Sequence, residues 1–324
     1  MSSNRWLRAA AILATLSLSC GVAVAQSYPA RPIKIIVPFA PGGPVDETAR
    51  ALAQYLSSFM GQKVLVENQP GAVGATGSIA VARAEPDGYT LLLGNEITLG
   101  LRPALMNLNY DPVKNFDAVG TVSKQEIILT VNPKVPAMSC PELVAFAKSK
   151  PGVLQFASSG NNSQPHLAGD TFGKRAGIRI VHVPYRGSSA AIADVVSGQV
   201  EMIFEGMGAV LQFINARHLR PLAIASAARI PRLPELPTME ECGYPGFFFA
   251  IFTALLAPSK TPSPVIARLN AEINVGLKSP ELASAFARLG AEPFGGSPQD
   301  LTNKMAGDLE KWRSIARLLD MKSQ

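Results

Sequence analysis

Short runs of branched aliphatic residues alternate along this chain with stretches whose apolar positions recur every three or four residues. Ile33-Lys34-Ile35-Ile36-Val37 has the length and β-branching of a buried strand. Directly after it, Val45, Ala49, Leu52, Ala53, Leu56, Phe59 and Met60 fall on one helical face. Pro44 suits the first turn of that helix and Gly61 the position just past its end. Residues 63–67 read as the next strand, and the Gly-rich stretch 71–78 enters a helix of small residues. Pro86-Asp87-Gly88 closes that helix, and 89–93 form a further strand.

A second unit with the same grammar begins near Glu126. Strands are expected at 127–131, 153–157, 178–183 and 200–204, with helices at 141–149, 165–175 and 188–197 between them. Residues 230–237 carry three prolines and read as an extended crossing segment. An apolar strand-like run follows at 247–257, and helices at 264–278 and 298–319 close the chain. Strands alternating with helices predict an α/β fold with mostly parallel sheets. The closing helices lack a sheet of their own and must pack on one already built. That divides the chain into a discontinuous lobe (26–124 plus 229–324) and a continuous one (125–228). Two lobes joined by two crossings form a hinge with a ligand cleft between them.

The opening residues belong to neither lobe. Arg5 and Arg8 precede an apolar run, and Ala23-Val24-Ala25 is a small-x-small cleavage site, so 1–25 read as a secretory signal peptide and the protein as periplasmic. The formal net charge of +6 is mild, falls by two when Arg5 and Arg8 are removed, and contains no basic run able to track a phosphate backbone. Nucleic acid is therefore excluded as a partner class. Beyond the leader only Cys140 and Cys242 remain. In an oxidising compartment they could pair, but sequence separation says nothing about distance, and two independent buried thiols are the simpler reading. Together with His166, His182 and His218 they show no clustered metal-ligand spacing.

Two loops carry the candidate chemistry. Phe39-Ala40-Pro41-Gly42-Gly43 stands between a strand and a helix, with Asp46 in the first helical turn. Its glycines allow close backbone approach, and the helix start presents unpaired N–H donors and the positive end of a dipole. Ser158-Ser159-Gly160-Asn161-Asn162-Ser163 repeats the device in the second unit, with His166 just inside the next helix. One such loop per lobe, each at the carboxyl end of a strand, points to a shared anion-binding cleft. The glycines of 71–77 lack the full dinucleotide pattern, and no Gly-Lys-Ser/Thr phosphate loop is present. A secreted hydrolase would need His166 with Ser159 or Ser163, for which no orienting carboxylate is evident, and a ligand hydrogen bond from His166 is the better reading. His182, within a strand, reads as a packed core residue, and His218 as a surface one.

Pro38-Phe39-Ala40-Pro41-Gly42-Gly43 with Asp46 and Ala49-Arg50, Val66-Glu67-Asn68-Gln69-Pro70-Gly71 and Pro86-Asp87-Gly88-Tyr89 resemble the substrate-binding proteins of tripartite tricarboxylate transporters, the Bug family. The likeness continues through His166-Leu167-Ala168-Gly169, Val183-Pro184-Tyr185-Arg186-Gly187 and Pro237-Thr238-Met239. It implies a two-lobed class II periplasmic binding fold and a non-enzymatic monomer without cofactor. It also implies small carboxylates as cargo and membrane transporter subunits as partners, with a sensor kinase as a second partner for the same closed surface. In the family the loops matching 39–43 and 158–166 grip the ligand carboxylate, partly through ordered water, and the positions matching Tyr185 and Arg186 line the same cleft. This chain departs from the pattern at Asn95-Glu96, at Asn161-Asn162 and at Glu205, where the family has aspartate. If Glu96 and Glu205 face the cleft, a ligand with an amine besides its carboxylate is favoured. The alternative is that they pair with Arg186 or Arg102.

Overall fold

The computed structural model describes residues 28–321, and the leader expected at 1–25 lies outside them. The first strand and helix form as β1 (Ile33–Val37) and α1 (Pro44–Phe59). They are followed by β2 (Val64–Asn68), α2 (Ala75–Ala82), β3 (Thr90–Asn95) and a π-helical turn (Ile97–Leu101) that runs into α3 (Arg102–Leu105). The second unit follows from β4 (Phe116–Val131) through α4 (Cys140–Ser149), β5 (Gln155–Ser158), α5 (Gln164–Ala176) and β6 (Val181–Pro184). It ends with α6 (Ser188–Ser197), β7 (Met202–Gly206), α7 (Met207–Asn215) and β8 (Arg220–Ile224). A turn-rich segment then leads to β9 (Ala250–Pro258), α8 (Ser263–Gly276), α9 (Pro280–Arg288), β10 (Glu292–Pro293) and α10 (Pro298–Leu318).

The strands join in the order β2-β1-β3-β9-β4-β7-β5-β6, with β8 and β10 also paired to β4. Pairing is parallel among β2, β1 and β3 and again among β6, β5 and β7, whereas β9 and β4 run antiparallel to their neighbours. The antiparallel centre exists because β4 carries the chain from one unit to the other and β9 receives it on return. β4 opposes β9 from Phe116 to Glu126 and β7 from Ile127 to Val131. At about 3.3 Å per residue this one strand reaches roughly 50 Å, enough to belong to both units.

Strand direction places the loops. β3 runs the same way as β4, since both oppose β9, while β7 and its parallel partners β5 and β6 run against β4. The carboxyl ends of β1 and β3 therefore face those of β5, β6 and β7 across the junction.

Each unit buries apolar side chains on both faces of its strands. In the first, Ile35, Val37, Leu52 and Leu56 pack with Leu269, Ile273 and Phe286, and on the opposite face Ile36 and Leu92 pack with Phe252, Leu301 and Met305. In the second, Leu129, Phe156, Phe172 and Phe204 form one cluster and Ala157, Ile192 and Ile203 another. The expected return to the first lobe at 229 comes later in the structure. Ile230, Leu236, Met239, Phe247 and Phe249 all pack with second-unit residues, and pairing to a first-unit strand starts at Ala250. Apolar burial keeps this segment where it is, despite its prolines. The last helix also departs from the expectation of packing on the first lobe alone. Leu301 and Met305 of α10 join a first-unit cluster, whereas Trp312 and Ile315 join a second-unit one.

Candidate functional site

On the first wall, the loop after β1 is held by a carboxylate. Asp46 is buried; its Oδ2 accepts from the Gly42 N–H and from Arg50 Nε, each at 2.9 Å, and its Oδ1 accepts from Asn68 Nδ2 at 2.9 Å. The Asn68 amide also donates to the Phe39 carbonyl at 3.1 Å. Burial alone would raise the Asp46 pKa, but the hydrogen bonds from Arg50, Gly42 and Asn68 outweigh it and hold the carboxyl below its ordinary value. Asp46 thus clamps the loop, with both oxygens engaged inside it. Gly42 takes a left-handed φ of 80°, and Gly43 caps α1 without any side-chain hydrogen bond. The N–H groups of the first turn after Pro44 are left for other acceptors.

The Gly-rich stretch ahead of α2 buttresses this loop. A Cβ on Gly74 would lie 2.5 Å from Thr98 Cγ2 and 3.3 Å from Phe39 Cζ, and one on Gly77 would lie 2.9 Å from the Pro38 Cα. Asn95 is buried at the end of β3, where its Oδ1 accepts from the Ile97 and Thr98 N–H groups at 3.2 and 3.3 Å. Its neighbour Glu96 pairs with neither Arg102 nor Arg186. Glu96 is wholly buried, with Oε2 accepting from the Phe252 N–H at 3.1 Å and Asp308 and Lys311 of α10 nearby, and burial pushes its pKa up to about 7.

On the second wall, Ser163 caps α5, accepting from the His166 N–H at 3.4 Å and donating to the Gly160 carbonyl at 2.7 Å. Ser158 Oγ accepts from the Gly160 N–H at 3.1 Å and bonds His182 Nε2 at 2.7 Å. His182 is therefore a half-buried anchor of this loop, not the packed core residue expected; burial lowers its pKa to about 4. Its ring stacks on His166 with centroids 3.9 Å apart. His166 Nδ1 accepts from the Asn162 N–H at 3.1 Å, and Nε2 meets Asp170 Oδ2 at 3.1 Å. An orienting carboxylate is thus present after all, one helical turn on, but both ring nitrogens are engaged and neither holds Ser159 or Ser163. The ring orders the loop, while Ser159 is half-buried and Asn161 and Asn162 are exposed.

The loop after β6 joins this wall. The Tyr185 N–H donates to the Ser158 carbonyl at 3.0 Å, and a Cβ on Gly160 would lie 3.3 Å from the Tyr185 carbonyl oxygen. Tyr185 Oη donates to Asp194 at 2.7 Å, and its pKa is raised to about 12 by burial and that partner. Arg186 is exposed, and Gly187 caps α6 without a side chain. Glu205 is buried near the same helix start. Its Oε1 accepts from the Gly206 N–H at 2.9 Å, and Oε2 has no partner among the described residues. Desolvation raises its pKa. Like Glu96, it pairs with neither arginine.

Sequence reasoning passed over Asn68, Asp170 and His182 as loop anchors, along with the contacts that close the base of the cleft. Gln164 Nε2 donates to the Ala250 carbonyl at 3.2 Å, and Gln125 Nε2 to the Gly290 carbonyl at 3.0 Å. Only the four-residue spacings Asp46–Arg50 and His166–Asp170 were signals available beforehand. Among the described residues no group of His, Cys, Asp and Glu could hold a metal ion.

Residues 48–321 match the model of the tripartite tricarboxylate transporter family receptor. Protein BugT of Bordetella pertussis is 37% identical over 318 residues, covering 96% of this chain and 97% of that protein. A Rhodopseudomonas palustris protein solved with adipate is 31% identical with a TM-score of 0.74, covering 90% of this chain and 98% of the other. MatC of Rhodopseudomonas palustris, solved with bound malate, is 28% identical with a TM-score of 0.70, covering 89% and 99%. With two units facing each other across β4 and this likeness along almost the whole chain, the protein belongs to the tripartite tricarboxylate transporter receptor family and is a solute-binding protein with the two-lobed periplasmic binding fold.

Proposed function

We propose that this chain is a periplasmic receptor that closes two lobes on a small carboxylate and presents it to the membrane subunits of a tripartite transporter. One observation carries the reading: the starts of α1 and α6 are both capped by glycine without a side-chain hydrogen bond, and both open on one junction. Free N–H donors at a helix start bind an anion without a neighbouring cation. The lobes are the unit carrying β1–β3 and the unit carrying β5–β8, hinged where β4 and β9 pass between them. The ligand would meet Phe39, Ala40, Gly42 and Gly43 on one side and Ser159–Ser163, Tyr185 and Arg186 on the other. Asp46, Asn95 and His166 position these loops.

Adipate and malate in the two related structures support a dicarboxylate cargo. A calorimetric titration of adipate, malate and a wider panel of mono-, di- and tricarboxylates tests this. At least one should bind saturably with one site per chain; silence across the panel would refute the proposal. A second reading, an amino-acid cargo, is favoured by the buried and unpartnered Glu205 Oε2. Aspartate should then bind more tightly than succinate, and Glu205→Gln should abolish the difference.

A further inference from the structure

The two cysteines of the described chain lie in one packed cluster. Cys140 is the first residue of α4 and is wholly buried with Leu143, Phe172, Leu222 and Met239. Cys242 is half-buried and packs against the same cluster, and its nearness together with burial raises the pKa of the Cys140 thiol. Both thiols are free, as the simpler reading had them, but the fold brings them into one cluster although they are far apart in sequence. The backbone around Cys242 is fixed from two directions. The Met239 N–H donates to the Ile224 carbonyl of β8 at 2.8 Å, and the Cys242 N–H to the Thr238 carbonyl at 3.1 Å. The same segment supplies Phe247 and Phe249 to the second-unit core and then enters β9.

We propose that Cys140 and Cys242 form a structural disulfide in the exported protein. The bond forms by thiol–disulfide exchange with an oxidised dithiol protein. The more accessible Cys242 attacks as thiolate, making a mixed disulfide and releasing one partner thiolate. Cys140, deprotonated in turn, displaces the second partner sulfur, and the two cysteine protons end on the reduced partner. Two chain thiols and one partner disulfide thus become one chain disulfide and two partner thiols. The bond ties the start of α4 to the segment that leads into the second crossing, and it encloses most of the second unit in one covalent loop. A crosslink over so long a loop removes much freedom from the unfolded chain. The oxidant, though not the geometry, rests on the periplasmic reading above.

The test is intact-mass analysis after alkylation under denaturing conditions without reductant, in two arms. In the first, the full-length chain is exported through its own leader. In the second, reduced purified protein is incubated with oxidised glutathione. Both should give a chain with no alkylated cysteine, two alkylations after prior reduction, and a peptide pair joining Cys140 to Cys242. A bond in the glutathione arm alone supports the pairing and counts against export. Two alkylatable thiols in both arms, or glutathione adducts that never resolve, overturn the proposal. Reductant should also lower the melting temperature of the oxidised wild type by several degrees while leaving Cys140→Ala and Cys242→Ala unmoved; an equal effect on all three would contradict it.

Discussion

Two carboxyl groups of the first wall sit in opposite environments, which push them in opposite directions. Asp46 is buried yet accepts from Gly42, Arg50 and Asn68, so its ionised form is favoured in the folded state. A carboxyl held below its unfolded value of about 4 adds stability above that value and loses it as pH falls through the folded pKa. Denaturant melts should show the wild type losing more stability than Asp46→Asn on acidification below about pH 4. Equal slopes would show that the clamp is unimportant. Glu96 is the reverse case: burial raises it to about 7, so the folded state binds its proton more tightly than the unfolded state does. Stability should then fall as pH rises from about 4.5 to 7, by no more than roughly 3–4 kcal/mol at about 1.4 kcal/mol per pKa unit. Glu96→Gln should flatten that part of the profile. Of the α10 charges near it, Lys311 draws the Glu96 pKa down and Asp308 draws it up, and burial outweighs both.

Among the elements, β4 and α10 span the junction from opposite ends of the chain, and two glycines set how closely the units approach. A Cβ on Gly208 at the start of α7 would lie 2.0 Å from the Cα of Gly290, in the turn between α9 and β10. No side chain can move aside to relieve a collision with backbone. Gly208→Ala should therefore force the units apart at this point, costing about 1–3 kcal/mol as overpacking does. A urea melt would give the loss of stability, and small-angle scattering should report a larger radius of gyration. An unchanged radius and stability would mean that the turn at Gly290 yields freely. Among the elements that escaped the sequence reading, α3 and β10 are too short to display a period and Pro221 interrupts β8. By contrast, Met207, Val210, Leu211 and Ile214 of α7 and Leu282 and Phe286 of α9 carry a helical period that went unread. β4 was recognised only in its second half, because 116–126 alternates small and polar residues that become buried only once β9 lies beside it.

For the molecule as a whole, the proposed closure would couple binding to both shape and stability. A ligand at about 100 times its dissociation constant should raise the unfolding free energy by roughly 2.7 kcal/mol. Because the two units are joined by β4 and β9, the same ligand should also make the molecule more compact. Scattering with and without the best-bound carboxylate checks this, and stabilisation without compaction would place the ligand on one lobe alone.

Local chemistry determined much by itself. Apolar spacing marked the long strands and helices, and proline, glycine and serine at helix starts marked the two loops, since these signals act over a few residues and leave a pattern in composition. Tertiary structure alone decided the rest. The Phe252 partner of Glu96, the stacking of His166 on His182, the shared cluster of Cys140 and Cys242 and the late crossing at Ala250 all join residues distant in sequence. Burial and pairing across such distances depend on how the sheet is ordered, and strand order is not written in any local period.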